Sequence, residues 1–289
     1  MNNNSPLSHR NIEPEEGVLY IVGTPIGNLN DLSSRAIHIL ENVNLIACED
    51  TRQTKKIMSK FKIKNTMISF NKFNSLKRVP FILENLKKGG SIALVSDAGM
   101  PNICDPGEEL VKEARTNNIE TICVPGPCAA IVALVASGFP ASKFVFEGFL
   151  PKKKSDREKI LAEISDNQKT TILYESPHRI NRLLKELKEF CGGSREIQIA
   201  RELTKKFEEI IGPDIDSVIN LFKTKEIIGE FTIIIKGRAN PENEKFNKIK
   251  VKKDLQELIK AGLSLSAASK YLAKKLNLWA ENLVNETFN

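Results

Sequence analysis

The chain has 289 residues, of which 41% are hydrophobic and 27% charged, enough apolar material for one large or two modest globular domains. No run of residues is apolar and long enough to cross a membrane, and the polar, Asn-rich start has no signal-peptide core. Five scattered cysteines without a CxxC pair, beside only three histidines, predict free thiols and no metal site. We therefore expect a cytoplasmic protein without a membrane partner.

The net charge of +7 is concentrated towards one end of the chain. Residues 245–275 contain nine lysines and two acids, so the remainder is neutral as a whole. A localised basic segment is typical of proteins that bind a polyanion such as nucleic acid. A solvated, Lys-rich helix face is the alternative interpretation.

The first half of the chain predicts a mostly parallel sheet with helices on both faces. Short runs of apolar and β-branched residues predict strands over 18–22, 45–48, 66–70, 92–95 and 120–124. Helical spacing and caps predict helices over 33–43 (capped by Asp31 or Ser33), 76–87, 108–115 and 128–137. The last of these helices is apolar on all sides, so we expect it to be buried. The alternation as a whole indicates an α/β fold.

The loop after the central strand, 92–95, carries residues that suit a nucleoside ligand. Open α/β sheets bind ligands at the carboxyl ends of their strands. This strand leads into Asp97-Ala98-Gly99-Met100-Pro101, which combines a carboxylate with a glycine free to take positive φ. The carboxylate repels a pyrophosphate but accepts from ribose hydroxyls, so a nucleoside without phosphates fits better than a dinucleotide. An ordinary strand-to-helix connection remains the alternative.

Two further strand ends are candidate contacts. Glu49-Asp50-Thr51-Arg52 is either a helix cap with a surface ion pair or a substrate contact. The first turn of the apolar helix, Cys128-Ala129-Ala130, offers unpaired backbone N–H groups and little side-chain bulk. That geometry suits a flat ligand such as adenine, and tight helix–strand packing explains it equally.

The second half of the chain predicts another α/β domain followed by a basic helical segment. The strands are expected over 144–149, 170–174, 196–201, 208–211 and 231–236, and the helices over 155–164 and 177–190. Beyond them, a helix over 267–276 and another from Trp279 resemble a helix-turn-helix. We predict four parts: a disordered tail (1–16), two α/β domains (17–140 and 141–238) and a basic helical domain (239–289).

Seven ordered motifs carry a family resemblance. They are VGTPIGNLNDLSSRA, CEDTR, ALVSDAGMPNICDPG, VPGPCAAIVAL, EGFLPKK, YESPHRI and ARELTKKFEE. The set resembles the ribosomal RNA small-subunit methyltransferase I family, a branch of the tetrapyrrole-methylase-like (class III) S-adenosylmethionine enzymes. Met100, Asn102 and Cys104 depart from the pattern SDAGTPLISDPG expected at the central loop.

The resemblance implies two α/β domains of the tetrapyrrole methylase type with the cofactor in the interdomain cleft, plus a small helical C-terminal domain. It implies S-adenosylmethionine as cofactor, no metal, a homodimer, and 2′-O-methylation of a cytidine in the decoding region of 16S rRNA in the small ribosomal subunit. The positions matching the family's cofactor-binding motifs are Asp97, Gly99, Met100, Pro101, Ile103, Gly126, Cys128, Ala129, Ala200, Arg201, Glu202, Leu203 and Thr232.

The acceptor side of the cleft is expected to hold a second group of residues. By the same resemblance these are Pro25, Asn28, Glu49, Asp50 and Arg52. A ribose 2′-hydroxyl is a poor nucleophile, so a group that accepts its proton helps, and the candidates are Glu49, Asp50, Glu175, His178 and Glu202. We expect Asp50 and Arg52 to orient the ribose and its phosphate. The guanidinium groups of Arg52, Arg179 and Arg201 are candidate clamps for the RNA backbone.

Two other functions stay open. A sister enzyme acting on a tetrapyrrole or a modified protein residue would share the cofactor loops, but it gives no reason for the Lys-rich tail or for YESPHR. A non-catalytic RNA-binding protein explains the tail but not the Asp/Gly/Pro loops.

Overall fold

The computed structural model describes residues 13–239 and 248–276, which form two five-stranded sheets and ten helices within those ranges. The predicted helix from Trp279 and residues 1–12 of the predicted tail lie outside the described residues. Within them, no helix is long and apolar enough to cross a membrane.

The first sheet is entirely parallel, as the alternation of elements predicts. Its strands are β1 (Leu19–Val22), β2 (Leu45–Cys48), β3 (Met67–Ser69), β4 (Ile92–Val95) and β5 (Thr121–Val124). They run in the order β3-β2-β4-β1-β5, so β4 is central and its neighbours are β2 and β1. Every residue of β4 is buried, which its continuous apolar run predicts for a strand covered on both faces.

Helices cover both faces of this sheet, as predicted, although no range was predicted for the helix over residues 51–61. They are α1 (Ser34–Asn42), α2 (Thr51–Phe61), α3 (Ser75–Lys87) and α4 (Glu108–Thr116). One core joins α1 and α2 to the sheet, and a second joins α3 and α4 to the opposite face. Of the two expected caps, Ser33 is the one that caps α1, because its hydroxyl accepts from the Ala36 N–H at 3.1 Å.

The second sheet is mixed. Its strands are β6 (Phe144–Phe149), β7 (Thr170–Glu175), β8 (Ile197–Arg201), β9 (Glu209–Ile211) and β10 (Phe231–Ile235), in the order β6-β7-β10-β8-β9. Only β6 and β7 pair in parallel. One face packs on α6 (Lys154–Asp166), α7 (Ile180–Cys191) and α8 (Ile215–Leu221). The prediction missed the short α8, and it began α7 three residues too early, at Pro177.

The apolar helix α5 (Ala129–Ser137) packs on the other face of the second sheet. Its small residues Ala130 and Ala133 lie against that sheet together with Leu134. The prediction that α5 is buried on all sides is wrong, since Ile131 and Val135 are 45% and 73% exposed. The side of the helix that carries Ala130, Ala133 and Leu134 faces the sheet, and Ile131 and Val135 point outward.

The two ends of the described chain are also structured. Residues 13–16 fall within the predicted tail, yet the Glu13 carboxylate accepts two hydrogen bonds of 2.7 Å from Arg35. At the other end, α9 (Lys248–Lys260) and α10 (Leu265–Leu276) pack on each other around Leu255, Ala268 and Leu272. The predicted helix over 267–276 is thus observed, two residues longer at its start.

Candidate active site

A cleft of about 430 Å³ separates the two sheets. On one side it is formed by the segments that follow β1, β2 and β4, and by the start of α5. On the other side it is formed by the ends of β7 and β8 and the start of β10. Its volume lies within the range of about 300–1,000 Å³ that is usual for small-molecule sites.

Backbone pairing joins the loops on the first side into one rigid wall. Thr24 and Gly99 exchange two backbone hydrogen bonds of 2.8 and 3.1 Å, which connect the loop after β1 to the loop after β4. Gly99 has φ +82°, a conformation that glycine adopts without strain. The Asp97 carboxylate accepts from the Asp50 N–H at 2.9 Å and so connects the loop after β2 as well.

The closest approach within this wall is between Gly23 and Gly126. A Cβ on Gly23 would lie 2.6 Å from the Cα of Gly126 and 2.5 Å from the Sδ of Met100. Only glycine lets the loops after β1 and β5 come this close, and Gly126 therefore supports the wall from behind.

Three carboxyl groups, those of Glu49, Asp97 and Asp105, line the first side of the cleft. Burial raises the pKa of Glu49, and the nearby charges of Asp105 and Asp97 raise it further. Burial also raises the pKa values of Asp97 and Asp105, although the Asp50 N–H and the Ser96 hydroxyl respectively oppose this. The wall is therefore acidic and suits a cationic or hydroxyl-rich ligand.

Tyr174 forms part of the opposite wall. Its ring lies edge-on to Phe146, with centroids 5.1 Å apart, and is tilted against Phe149 at 5.6 Å. Its hydroxyl accepts from the Ala130 N–H at 3.0 Å. The expectation that the first turn of α5 offers its N–H groups unpaired is thus wrong at Ala130, because a tyrosine 44 residues away occupies it.

Glu175 lies at the floor of the cleft within a network of charges. Its Oε1 is 3.1 Å from the Nε of Arg179, and its Oε2 is 3.8 Å from a nitrogen of the buried Arg157. Arg157 in turn forms a 2.6 Å ion pair with Glu186. This carboxylate is therefore held between two guanidinium groups.

The turn after β8 closes the cleft against the first sheet. The Thr204 hydroxyl accepts from the Asn28 N–H at 3.0 Å, so the predicted acceptor loop after β1 contacts this turn. Within the turn, Glu202 accepts from Lys205 and from the Glu230 N–H, both at 3.0 Å. Although burial opposes it, these contacts lower the pKa of Glu202.

Nine of the thirteen positions expected to bind the cofactor line the cleft: Asp97, Gly99, Met100, Ile103, Cys128, Ala129, Ala200, Leu203 and Thr232. Of the other four, Pro101 is buried and Gly126 supports the wall. Arg201 is bound to Glu209 at 2.7 Å and to the Ile228 carbonyl, and Glu202 to Lys205.

The acceptor-side candidates separate into two groups. Glu49 and Glu175 line the cleft. Asp50 caps α2 and forms a 2.6 Å ion pair with Arg52, which lowers the pKa of Asp50 to about 2, so the cap and surface pair are both present. His178 is exposed in the turn before α7, not in its first turn as expected.

Sequence reasoning did not assign several of the lining residues individually. Asp105, Tyr174, Ser176 and Glu230 are the polar ones among them. Asp105 lies in the motif ALVSDAGMPNICDPG, Tyr174 and Ser176 lie in YESPHRI, and Glu230 lies two residues before the assigned Thr232. Their positions near strand ends, close to residues that were assigned, were the signal in the sequence that could have identified them as lining residues.

Comparison with known proteins agrees with this geometry. A family model described as tetrapyrrole (corrin/porphyrin) methylases matches residues 18–218. Two relatives are named ribosomal RNA small subunit methyltransferase I. The one from Synechocystis sp. is 42% identical over 262 residues, covering 91% of this chain and 94% of that protein. The one from Thermotoga maritima is 45% identical over 222 residues, covering 77% of this chain and 99% of that protein.

Solved structures of low sequence identity share the fold. Cobalt precorrin-4 methyltransferase, a cobalamin biosynthetic enzyme, superposes with a TM-score of 0.58 at 14% identity, over 76% of this chain and 95% of that one. Uroporphyrin-III-C-methyltransferase from Thermus thermophilus superposes with a TM-score of 0.54 at 16% identity, over 76% of this chain and 94% of that one. The fold class expected from the sequence is confirmed, and the two-sheet architecture with its cleft is that of a methylase. The chain belongs to the tetrapyrrole (corrin/porphyrin) methylase family, in the branch of the ribosomal RNA small subunit methyltransferase I proteins.

Proposed function

We propose that this chain transfers a methyl group from S-adenosylmethionine to the 2′-hydroxyl of a cytidine in the decoding region of 16S rRNA, within the small ribosomal subunit. The observation that carries the proposal is the acidic cleft built from the family motifs. The names of its relatives, including one from Bacillus subtilis that is 41% identical over 265 residues, support an rRNA substrate. Five free thiols are in keeping with a cytoplasmic enzyme.

The cleft fits S-adenosylmethionine in size and charge. Asp97 and Asp105 suit ribose hydroxyls and a cationic centre, and Cys128 and Ala129 leave room for a flat base. The nine lining positions named above would hold the cofactor, while Pro101, Gly126, Arg201 and Glu202 would support them. The bound cofactor supplies a methyl group that is already activated for transfer. The protein therefore has to align the acceptor oxygen and take its proton.

Glu49 is the group we assign to accept the proton. Asp50 is held ionised by Arg52, and Glu202 is held ionised by Lys205 and the Glu230 N–H. Glu175 lies between two guanidinium groups, and His178 is outside the cleft. Glu49 combines a place on the cleft wall with a raised pKa, which is the requirement for a general base. Asp50 and Arg52, at the rim, remain our candidates for orienting the acceptor nucleotide.

Replacing Asp97 with alanine should weaken binding of S-adenosylmethionine by about 1.5–3 kcal/mol, the usual value of a hydrogen bond to a charged group. The loss includes the support that its carboxylate gives to the Asp50 backbone. Calorimetric titration measures the affinity. Glu41→Ala, which removes an exposed carboxylate from α1, is the matched control and should bind normally. Unchanged affinity in folded Asp97→Ala would remove Asp97 from the cofactor site.

Deleting the residues after 239 should preserve cofactor affinity and weaken binding of small ribosomal subunits. The described helices α9 and α10 have a small core of their own and carry many of the tail's lysines. The truncated protein neutralises fewer phosphates, so the salt dependence of its binding should also be shallower. Filter binding at several salt concentrations measures both quantities. If the slope and affinity are unchanged, the tail is ordinary solvated surface.

The function is tested by transfer of labelled methyl groups to naked 16S rRNA, isolated small subunits and assembled ribosomes. A 2′-O-methyl ribose lacks the hydroxyl that attacks the next phosphodiester, so alkaline hydrolysis should leave one uncleaved bond at a cytidine. Transfer to a tetrapyrrole but not to RNA would identify the sister activity. Binding of RNA without binding of S-adenosylmethionine would identify a non-catalytic protein. Sedimentation of the same preparation would measure the homodimer that the family implies.

A further inference from the structure

A second basic segment lies in the first half of the chain, apart from the Lys-rich tail. Residues 51–88 contain eleven lysines and arginines and a single acid, Glu84. Ten of the eleven are exposed, and Arg78 is half-buried. Within the described residues, two of them pair with carboxylates, Arg52 with Asp50 and Lys88 with Glu84. The neutrality of the chain outside the tail therefore conceals a strongly positive region.

This segment comprises α2, β3 and α3, and it wraps the exposed edge of the first sheet. β3 is the edge strand, and its Ser69 pairs with Cys48 of β2. The loops after these two strands consequently lie side by side at the rim of the cleft. Arg52 lies shortly after the end of β2, and Lys72 and Phe73 lie shortly after the end of β3.

An aromatic ring stands fully exposed among these cations. Phe73 is 97% exposed, and Leu76, in the first turn of α3, is 74% exposed. Lys72 and Lys77 flank them and are also exposed. We refer to Lys72, Phe73, Leu76 and Lys77 as the Phe73 patch. An exposed ring beside unpaired positive charge is the combination that binds single-stranded nucleic acid.

The loop that carries the ring is fixed and adjoins the cleft. The Asn71 side chain accepts from the N–H groups of Phe73 and Asn74 at 3.0 and 3.2 Å, and the Asn74 side chain accepts from the Asn71 N–H at 2.8 Å. Lys72 Nζ donates to the Cys104 carbonyl at 3.2 Å, and Cys104 lines the cleft. The backbone at Phe73 is thus ordered before any ligand arrives, which lowers the entropic cost of binding.

We propose that the Phe73 patch is an RNA-docking surface on which an unpaired base of the substrate stacks against Phe73. The proposal rests on the proposed function and names the form of RNA that the site takes, a single strand with an accessible base. Lys77, Arg52 and the lysines of α2 contact the phosphates on either side of that base. Glu108 and Glu109, at the start of α4, line a second pocket together with Lys72, and their negative charges direct the strand away from α4.

A second copy of the chain is a poorer occupant. Near the axis of a two-fold interface the patch would face itself or a neighbouring part of the same basic segment, and like charges repel. RNA instead neutralises the lysines and releases counterions from its phosphates.

Phe73→Ala should weaken binding to isolated small ribosomal subunits by about 5- to 150-fold, the usual effect of losing one base–aromatic stack. The slope of affinity against salt should stay unchanged, because no charge is removed. Phe73→Trp keeps a stacking ring and should bind normally. Phe81→Ala removes a half-exposed ring further along α3 and is the matched control. Lys77→Ala should lower the salt slope by about one.

Each outcome has one meaning. Wild-type affinity in Phe73→Ala overturns the docking surface. A changed oligomeric state with unchanged RNA affinity shows that the patch contacts a second copy instead, which also overturns it. If wild-type protein transfers no methyl group to small subunits yet loses RNA affinity on Phe73→Ala, the proposed function fails and the docking surface stands.

Discussion

Replacing Glu49 with glutamine should lower the turnover of methyl transfer by about 100- to 10,000-fold, the usual contribution of a general base. Cofactor affinity should stay near that of the wild type, because the change keeps the shape of the side chain. Calorimetric titration and a methyl-transfer assay on the same preparation separate the two effects. Glu41→Gln, an exposed carboxylate on α1, is the control and should keep full turnover.

The pH profile gives the same assignment an independent test. A base works only when it is deprotonated, so kcat/KM should rise with pH through the pKa of Glu49 and then level off. Burial and the charges of Asp105 and Asp97 raise that pKa, so the acid limb should lie above the ordinary glutamate value of about 4.3. Glu49→Gln should abolish the limb as well as the rate. If the acid limb of the pH profile survives in Glu49→Gln, another group is the general base.

Much of the fold follows from the sequence because its strands are short, apolar and bounded by turns. β2 and β4 coincide with their predictions, and β4 owes this to its burial on both faces. The boundary at Asp50 is equally local, since the cap bond involves its own side chain and the Arg52 N–H at 2.8 Å. Features decided within a few residues are therefore the ones that the sequence predicts well.

Features decided across the fold were the ones missed. The seven-residue α8 is too short to show a helical period. The exposure of Val135 depends on which side of α5 meets the second sheet, and the composition of the helix does not contain that information. The bond from the Ala130 N–H to Tyr174 joins residues far apart in the sequence, so an unpaired first turn was the natural expectation.

The charge distribution illustrates a different limit. Counting charges outside the tail gives neutrality, because the basic segment 51–88 is cancelled by acids elsewhere in the chain. The structure shows that the basic and acidic residues are separated in space. The basic segment lies at the exposed edge of the first sheet, and carboxylates such as Glu49 lie in the cleft. A basic segment beside an acidic cleft is the arrangement expected of an enzyme that holds a cationic cofactor and a polyanionic substrate together.

The second large effect concerns the charges beneath the cleft, and here the expected change is in stability. Arg157 is a side chain with 3% exposure, paired with Glu186 at 2.6 Å and 3.8 Å from Glu175. Replacing it with methionine fills the space but takes a cation away from the buried Glu175 and the half-buried Glu186, which keep only Arg179 and Arg182 respectively. Breaking a buried pair costs about 3–5 kcal/mol when no other cation remains, so the free energy of unfolding in urea should fall by up to that amount.

Arg182 supplies the matched control for Arg157. It pairs with the same Glu186 at 2.8 Å, but its side chain is exposed, so Arg182→Met should cost less than about 1 kcal/mol. Adding Glu175→Gln to Arg157→Met should recover part of the lost stability, because it removes a buried charge that has lost one of its two cations. Equal stability of Arg157→Met and Arg182→Met would mean that the buried network contributes nothing. If the expected loss is measured, Glu175 is held in the cleft by Arg157 of α6 as well as by Arg179, a structural role that supports our assignment of the base to Glu49.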